Sequence, residues 1–222
     1  CDYDSFQEPQ ETRGRMNNPI IIIGIILGLL ALCVVTIILL TPWMDRKGAT
    51  TQEQTASLPG DDLIANPVRT ANRAITVRAT PQQIYPWIIQ TGADKAGFYS
   101  YTWLENLVGC KMAKDEQIRE EWQNLQVGDL MKMCDSEPAP PPYEVAMLVP
   151  DTAVVFGHRD QDEWVDLWSF VLTPQPDGST RLIARTQTNM TGGFWEIIRP
   201  ISFMMEQKML ATIKQLAERN AD

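Results

Sequence analysis

The stretch WVDLWSFVLTPQPDGSTRLIARTQT, from Trp164 to Thr188, carries the clearest signal for regular structure in this chain. Its two arms, 164–172 and 180–188, are rich in aliphatic, aromatic and β-branched residues, which is typical of strands. The dipeptide Asp177-Gly178 in the connection favours a tight turn between two antiparallel strands. The stretch therefore predicts a β-hairpin.

The segment after this hairpin has the periodicity of a long helix. Apolar residues recur there every three or four positions, which predicts one apolar stripe that packs on the sheet. Pro200 either kinks this helix or marks its start. The members of the stripe are Phe194, Ile197, Ile198, Ile201, Met205, Met209, Thr212 and Leu216.

The residues before the hairpin predict more strands and two short helices. Thr80-Pro81 is a typical helix start, and the apolar residues that follow have helical spacing. A second short helix is expected between Tyr101 and Gly109. Further strands are expected over 73–78, 125–133, 143–149 and 153–156. This order predicts an α+β fold in which an antiparallel sheet packs against the last helix.

A run of 21 residues without charge, IIIIGIILGLLALCVVTIILL from Ile20 to Leu40, precedes this domain. At about 1.5 Å per residue it spans the hydrocarbon core of a bilayer, which predicts a single transmembrane helix. Gly24 and Gly28 form one GxxxG pattern, a candidate site of close helix packing. The predicted organisation is a polar tail (1–18), a transmembrane helix (19–42), a linker (43–67) and a folded domain (68–222).

The charges that flank the span decide its expected orientation. Arg13 and Arg15 on one side are mixed with acidic residues, whereas Arg46 and Lys47 stand on the other. The positive-inside rule therefore favours a cytoplasmic C-terminal domain at a bacterial cell membrane. Cys1-Asp2 resembles the start of an acylated bacterial lipoprotein, and the alternative is that the numbering simply begins there.

The two cysteines of the domain, Cys110 and Cys134, have no spacing typical of a metal site. They can pair only if the fold brings them together. In a reducing cytoplasm we expect two buried thiols.

Composition excludes several classes of function. The chain has 19 Lys and Arg against 28 Asp and Glu, a net charge of −9, which argues against a nucleic-acid partner. Its one histidine, His158, gives no pair for a metal site, and no Ser, Cys or acidic residue is placed to complete a nucleophilic set with it. The acidic run over 160–166 is expected to be a solvated loop. We expect no catalytic residue, no metal ligand and no cofactor.

Several segments together resemble the START/polyketide-cyclase (SRPBCC) superfamily. The resemblance covers about residues 58–221, and it is carried by LPGDDL (58–63), RAITV (73–77), PQQIYPWIIQ (81–90), GFYSYTWLENL (97–107), VGD (127–129), WSFVL (168–172) and FMMEQKML (203–210). It implies a helix-grip fold. In this fold a curved antiparallel sheet wraps around a long C-terminal helix, and the space between them is a ligand cavity. Lipids, polyketides and other apolar molecules are the ligands that it implies, and it implies no fixed catalytic set.

The aromatic and methionine residues of the domain are the candidate lining of that cavity, and the alternative is an ordinary core. They are Trp87, Tyr99, Tyr101, Trp103, Trp168, Phe170, Met205 and Met209. Two compatible functions follow: a membrane-tethered binder of an apolar ligand such as a lipid, quinone or isoprenoid, and an accessory subunit among other membrane-protein subunits. The alternative is a polyketide-cyclase-like enzyme, with Tyr99, Tyr101 and Glu105 as its conceivable proton-transfer groups.

Overall fold

The structure, a computed structural model, describes residues 19–107, 109–137 and 139–219. The chain divides into two compact units, one ending at Leu40 and the other beginning at Thr41. The predicted polar tail and Cys1 lie outside the described residues. In chain order the elements are α1 (Pro19–Met44), α2 (Thr51–Thr55), β1 (Arg69–Val77), α3 (Pro81–Ile89), α4 (Thr102–Leu107), β2 (Leu130–Met131), β3 (Tyr143–Val149), β4 (Ala153–Asp160), β5 (Glu163–Pro174), β6 (Thr180–Thr188) and α5 (Gly193–Arg219).

The predicted hairpin is confirmed and forms the centre of a six-stranded antiparallel sheet. β6 pairs with β5 along its whole length, from Thr188 opposite Asp166 to Thr180 opposite Pro174. The strand order is β1-β6-β5-β4-β3-β2, so β1 crosses over to the far side of the hairpin. The strand expected over 125–133 is reduced to the two residues of β2.

One face of the sheet, here called the inner face, packs against α5 and α3. The core between them is built from alternate residues of the strands, such as Phe156 and Phe170, and from Met209 and Ile213 of α5. Trp87 of α3 closes it from the side. The α+β helix-grip fold predicted from the sequence is therefore confirmed.

The predicted apolar stripe of α5 holds for its C-terminal half and is wrong for its N-terminal half. Met209, Thr212 and Leu216 are buried, whereas Ile197 is 69% exposed and Ile201 is 43% exposed. The reason is that Glu206 and Phe203, on a different side of the helix, are the residues that face inward there. Helical spacing alone did not reveal this change of face.

The segment predicted as a linker lies folded on the outer face of the sheet. α2 begins with a capping box between Thr50 and Glu53, and Ile64 packs against Val155 and Leu167. Arg185 holds the segment down. Its guanidinium donates to the Asp61 carboxylate and to the backbone oxygens of Glu53 and Ala56 in α2 and at its end. We call residues 45–67 the strap.

α1 is long and apolar enough to cross a membrane, with a mean hydropathy of 3.2 over its most apolar window. It is apolar on all sides, as expected of a helix that meets lipid all around. A Cβ at Gly24 or Gly28 would contact nothing else in this chain. That face is therefore free, among the described residues, for the close helix packing predicted from the sequence.

Cys110 and Cys134 form a disulfide bond, with Cα atoms 4.9 Å apart. The expectation of two buried thiols is therefore wrong. Cys110 follows α4, and Cys134 follows β2, two elements that the sequence separation of 24 residues did not place side by side.

Candidate functional site

A buried ion pair lies between the inner face of the sheet and α5. Arg73 of β1 donates from Nη1 to Oε1 of Glu206 at 3.0 Å, and both side chains are 6% exposed. The other carboxylate oxygen of Glu206 accepts from the indole Nε1 of Trp168 at 3.0 Å. Arg73 also donates from Nε to the backbone oxygen of Met44 at 2.9 Å. The Glu206 carboxylate of α5 is thus held by side chains of two strands, Arg73 on β1 and Trp168 on β5.

The environment of Glu206 shifts its titration upward. Burial raises the pKa of this carboxyl group above its ordinary value of 4.5, while the Arg73 guanidinium and the Trp168 indole oppose that rise. Removal from water disfavours the charged form, and a nearby cation favours it. The guanidinium of Arg73 also stacks on the ring of Phe203 at 5.4 Å. Such an arrangement holds its geometry only while both charges are present.

A second polar pair lies on the same face of the sheet, two residues from Trp168 along β5. Asp166 of β5 accepts a hydrogen bond from the hydroxyl of Tyr143 on β3. Burial raises the pKa of Asp166, and hydrogen bonds from Tyr143 and Thr188 oppose that rise. The sheet register sets His158 directly opposite Asp166. We call these five residues, Arg73, Glu206, Trp168, Asp166 and Tyr143, the polar cluster.

The structure brings together three of the residues predicted to line a cavity. Trp168 lies 4.8 Å from Phe170, measured between ring centroids, and 6.4 Å from Phe98. Met205 is half-buried on α5 beside Glu206, and its backbone oxygen accepts from Ser100 at 3.1 Å. Trp168 is itself a member of the polar cluster, Phe170 contacts its ring, and Met205 precedes Glu206 in the chain.

Three other predicted residues lie, like Phe170, in the closely packed core. Trp87 and Tyr99 meet edge to face at 6.1 Å, and Met209 is 1% exposed. The Tyr99 hydroxyl accepts a hydrogen bond from Gln90 at 2.7 Å, and burial raises the pKa of this phenol. Tyr99 is therefore held as a structural side chain.

The remaining two predicted residues lie elsewhere. Tyr101 is half-buried at the start of α4, and Trp103 is 67% exposed, so its ring faces solvent. Glu105 of the same helix is buried, and its pKa is raised by that burial. Neither of its carboxylate oxygens has a hydrogen-bond partner among the described residues.

Two clefts of the described structure lie away from the predicted cavity residues. One, of about 320 Å³, lies between Asp45, Arg69, Met190 and Glu196. The other, of about 280 Å³, lies along the proline-rich loop after Cys134. Neither is lined by any of the eight aromatic and methionine residues. Within the described residues, no group of three His, Cys, Asp or Glu side chains could hold a metal ion.

Sequence reasoning missed most of the polar cluster. The sequence pattern predicts that Asp166 belongs to a solvated acidic run, and it does not distinguish Arg73 or Glu206 from other charged residues. A signal was present, because Arg73 and Asp166 occupy inward-facing positions of strands that otherwise alternate regularly. Charges at such positions are rarely buried without a partner.

Comparison with known proteins shows similarity of fold. No protein-family profile matches the chain, and no curated protein matches it. Solved bacterial structures of the helix-grip type align with it. Protein MLL2253 from Mesorhizobium loti is 16% identical over 68% of this chain and 98% of its own, with a TM-score of 0.43. The Aha1 dimer from Colwellia psychrerythraea is 17% identical over 68% and 97%, with a TM-score of 0.42. Protein NE0264 from Nitrosomonas europaea is 10% identical over 70% and 99%, with a TM-score of 0.44.

Proposed function

We propose that this chain is a membrane-anchored, non-catalytic accessory protein of a larger membrane complex, built on an SRPBCC-like domain. The observation that carries the proposal is the filled space between the sheet and α5. Trp87, Tyr99, Phe170 and Met209, four of the residues that would line a ligand cavity, are each at most 1% exposed. A domain whose interior is closed acts through its surface.

The apolar helix α1 also supports the proposal. α1 has a glycine pair on one side that leaves room for a neighbouring helix. An accessory subunit needs such a contact, because lipid tails give apolar side chains no reason to prefer protein. Gly24 and Gly28 are the residues that we expect to lie at it.

The disulfide bond bears on which side of the membrane the domain works. Disulfide bonds form and persist in oxidising compartments and are rare in the cytoplasm. The Cys110–Cys134 bond therefore favours a domain on the extracytoplasmic side, against the cytoplasmic location expected from the flanking charges. Those charges are nearly balanced, so the disulfide bond is the stronger argument.

Purification from the native membrane in mild detergent tests the accessory role. The full chain should migrate with larger partners in native electrophoresis, and mass spectrometry of that band identifies them. Gly24→Leu with Gly28→Leu should release the chain, because the added side chains fill the packing face. Ile22→Leu with Ile26→Leu, on the opposite side of the helix, is the matched control and should not. Migration of the unaltered chain as a single small species would contradict the proposal.

Labelling of intact cells tests the location. In a background with Cys1→Ser and Cys33→Ser, a membrane-impermeant maleimide should label Cys110 and Cys134 only after treatment with a membrane-impermeant reductant. Labelling by a permeant maleimide without any reductant would show free thiols and would contradict an oxidising location.

A second candidate function, binding of an amphipathic ligand, is favoured by the polar cluster. Trp168 and Met205 adjoin two buried carboxyl groups there, which could orient the polar end of an apolar molecule. Mass spectrometry of the gently extracted protein should then find a bound molecule. It should be lost in Trp168→Phe and kept in Trp103→Phe, the exposed control. An empty wild-type protein excludes this function without touching the accessory role.

The enzyme alternative has less support. Its conceivable proton-transfer groups, Tyr99, Tyr101 and Glu105, do not share a site with the polar cluster. Tyr99 is held by Gln90 inside the packed core. If Tyr99→Phe and Tyr101→Phe abolished turnover of a polyketide-like substrate, the non-catalytic assignment would fail.

A further inference from the structure

The N-terminal half of α5 presents apolar side chains outward. Ile197, Ile201 and Met204 are 69%, 43% and 54% exposed, and their spacing of four and three residues sets them on one side of the helix. The next residue on that side is Lys208, which is exposed. Apolar surface on a helix ordinarily faces the core, so this reversal calls for an explanation.

This half of α5 contacts the residues that end α1. The ring of Trp43 lies 5.5 Å from the ring of Phe203, measured between centroids, and Phe203 is buried on a different side of α5 from Ile201 and Met204. Trp43 is itself half exposed, and the ammonium of Lys47 lies 4.8 Å from its ring centroid. Trp43 therefore holds this half of α5 near the end of α1. We call the outward residues Ile197, Ile201 and Met204 the α5 patch.

The chain limits how far the α5 patch can lie from the end of the candidate span. Trp43 follows Leu40 by three residues. Three residues reach at most about 10 Å even when fully extended. Trp is enriched at the boundary between hydrocarbon and headgroups, and Lys near the end of a span reaches toward the polar side of that boundary.

We propose that the α5 patch is inserted into the headgroup region of the bilayer, so that the first turns of α5 lie on the membrane as an interfacial helix. The occupant of the patch is lipid. The composition fits, since Ile, Met and Trp enter the boundary region while Lys47 and Lys208 remain at its polar edge. The strongly acidic remainder of the domain is unsuited to anionic lipid, which leaves apolar insertion as the attractive contribution.

Insertion of the α5 patch requires no partner subunit. Its consequence is a fixed orientation of the domain relative to the bilayer. One helix that crosses a membrane leaves the attached domain free to swing. A second contact, by α5, fixes the domain against the bilayer and points the outer face of the sheet away from it.

Spin labelling of the full chain tests this in vesicles of phosphatidylethanolamine and phosphatidylglycerol at a high lipid-to-protein ratio. Cys1→Ser and Cys33→Ser remove the two native cysteines that are outside the disulfide bond. The spin label is then attached at Ile201→Cys. Met204→Cys is a second patch position in case the first disturbs folding. Val149→Cys, at an exposed apolar position on β3, is the matched control.

The measured quantity is accessibility to oxygen, which concentrates in lipid, relative to a nickel chelate, which stays in water. The ratio at 201 and at 204 should be several-fold higher than at 149. Equal ratios at the three positions would place the patch in water and overturn the proposal. Protection of 201 and 204 from both reagents would show a second copy of the chain on the patch, which overturns it as well.

Discussion

Replacement of Arg73 by Met is the sharpest test of how the inner face is held together. Met fills a similar volume but leaves the Glu206 carboxylate buried without its cation. Removing one partner of a buried ion pair costs about 3–5 kcal/mol, because the remaining charge is neither hydrated nor paired. For a folded unit of this size each kcal/mol lowers the midpoint of thermal unfolding by roughly 2–4 °C.

The loss should depend on pH in a direction that the structure fixes. The pKa of Glu206 is already raised by burial, and Arg73 is the main influence that opposes the rise. Without Arg73 the pKa of the folded state rises further above the unfolded value of 4.5. A carboxyl group whose folded pKa is raised stabilises the fold at low pH, and that contribution is lost as the pH rises through the folded pKa. The variant should therefore be most destabilised at high pH.

Circular dichroism of the full chain in detergent, at about pH 8 and about pH 5.5, measures this difference. We expect a deficit of about 3–5 kcal/mol at the higher pH and about 1–2 kcal/mol at the lower, because the fraction of Glu206 that is neutral, which has lost only hydrogen bonds, grows as the pH falls. The double variant Arg73→Met with Glu206→Leu should recover most of the stability at the higher pH. An equal deficit at both values, or no recovery in the double variant, would refute the reasoning.

Three other predictions concern the disulfide bond, the second polar pair and the strap. Cys110→Ser should lower the free energy of unfolding by about 3 kcal/mol, since the bond closes a loop of 24 residues, and an unchanged denaturation midpoint in urea would contradict a formed bond. Tyr143→Phe should cost about 1–2 kcal/mol and raise the pKa of Asp166 further, so its deficit in urea should grow as the pH rises, and a deficit that shrinks would be evidence against the pair. Gly60→Ala should destabilise more than Gly178→Ala. Both glycines have positive φ, but only a Cβ at 60 would clash with Val155, at 2.9 Å; equal thermal shifts would mean that the strap does not pack tightly on the sheet.

Local patterns were sufficient for most of the fold. β6 was predicted to its exact bounds, because alternation and the Asp-Gly turn both act within a few residues. The cap at Thr80 and the helix after it were predicted equally well, with Gln83 completing the box. The strap was predicted as a linker because its anchors are distant in sequence. Arg185 reaches Asp61 across 124 residues, and no local pattern indicates that contact.

The candidate site was predicted only in part, for the same reason. The aromatic residues of the domain were identified by type, and type does not distinguish Trp168, beside a buried carboxylate, from Trp103, which is 67% exposed. The charged members of the cluster were overlooked because charge indicates exposure unless a partner is known. Arg73 and Glu206 are 133 residues apart.

The sequence by itself determined the apolar span, the antiparallel hairpin and the α+β class, because each depends on periodicity and turn chemistry within one segment. Only the tertiary structure decided that Cys110 meets Cys134, that Arg73 neutralises Glu206, and that α5 turns Ile197 and Ile201 outward. These features depend on which segments become neighbours. The free energy of burying a charge or exposing an isoleucine is set by those neighbours, and the residue alone does not specify them.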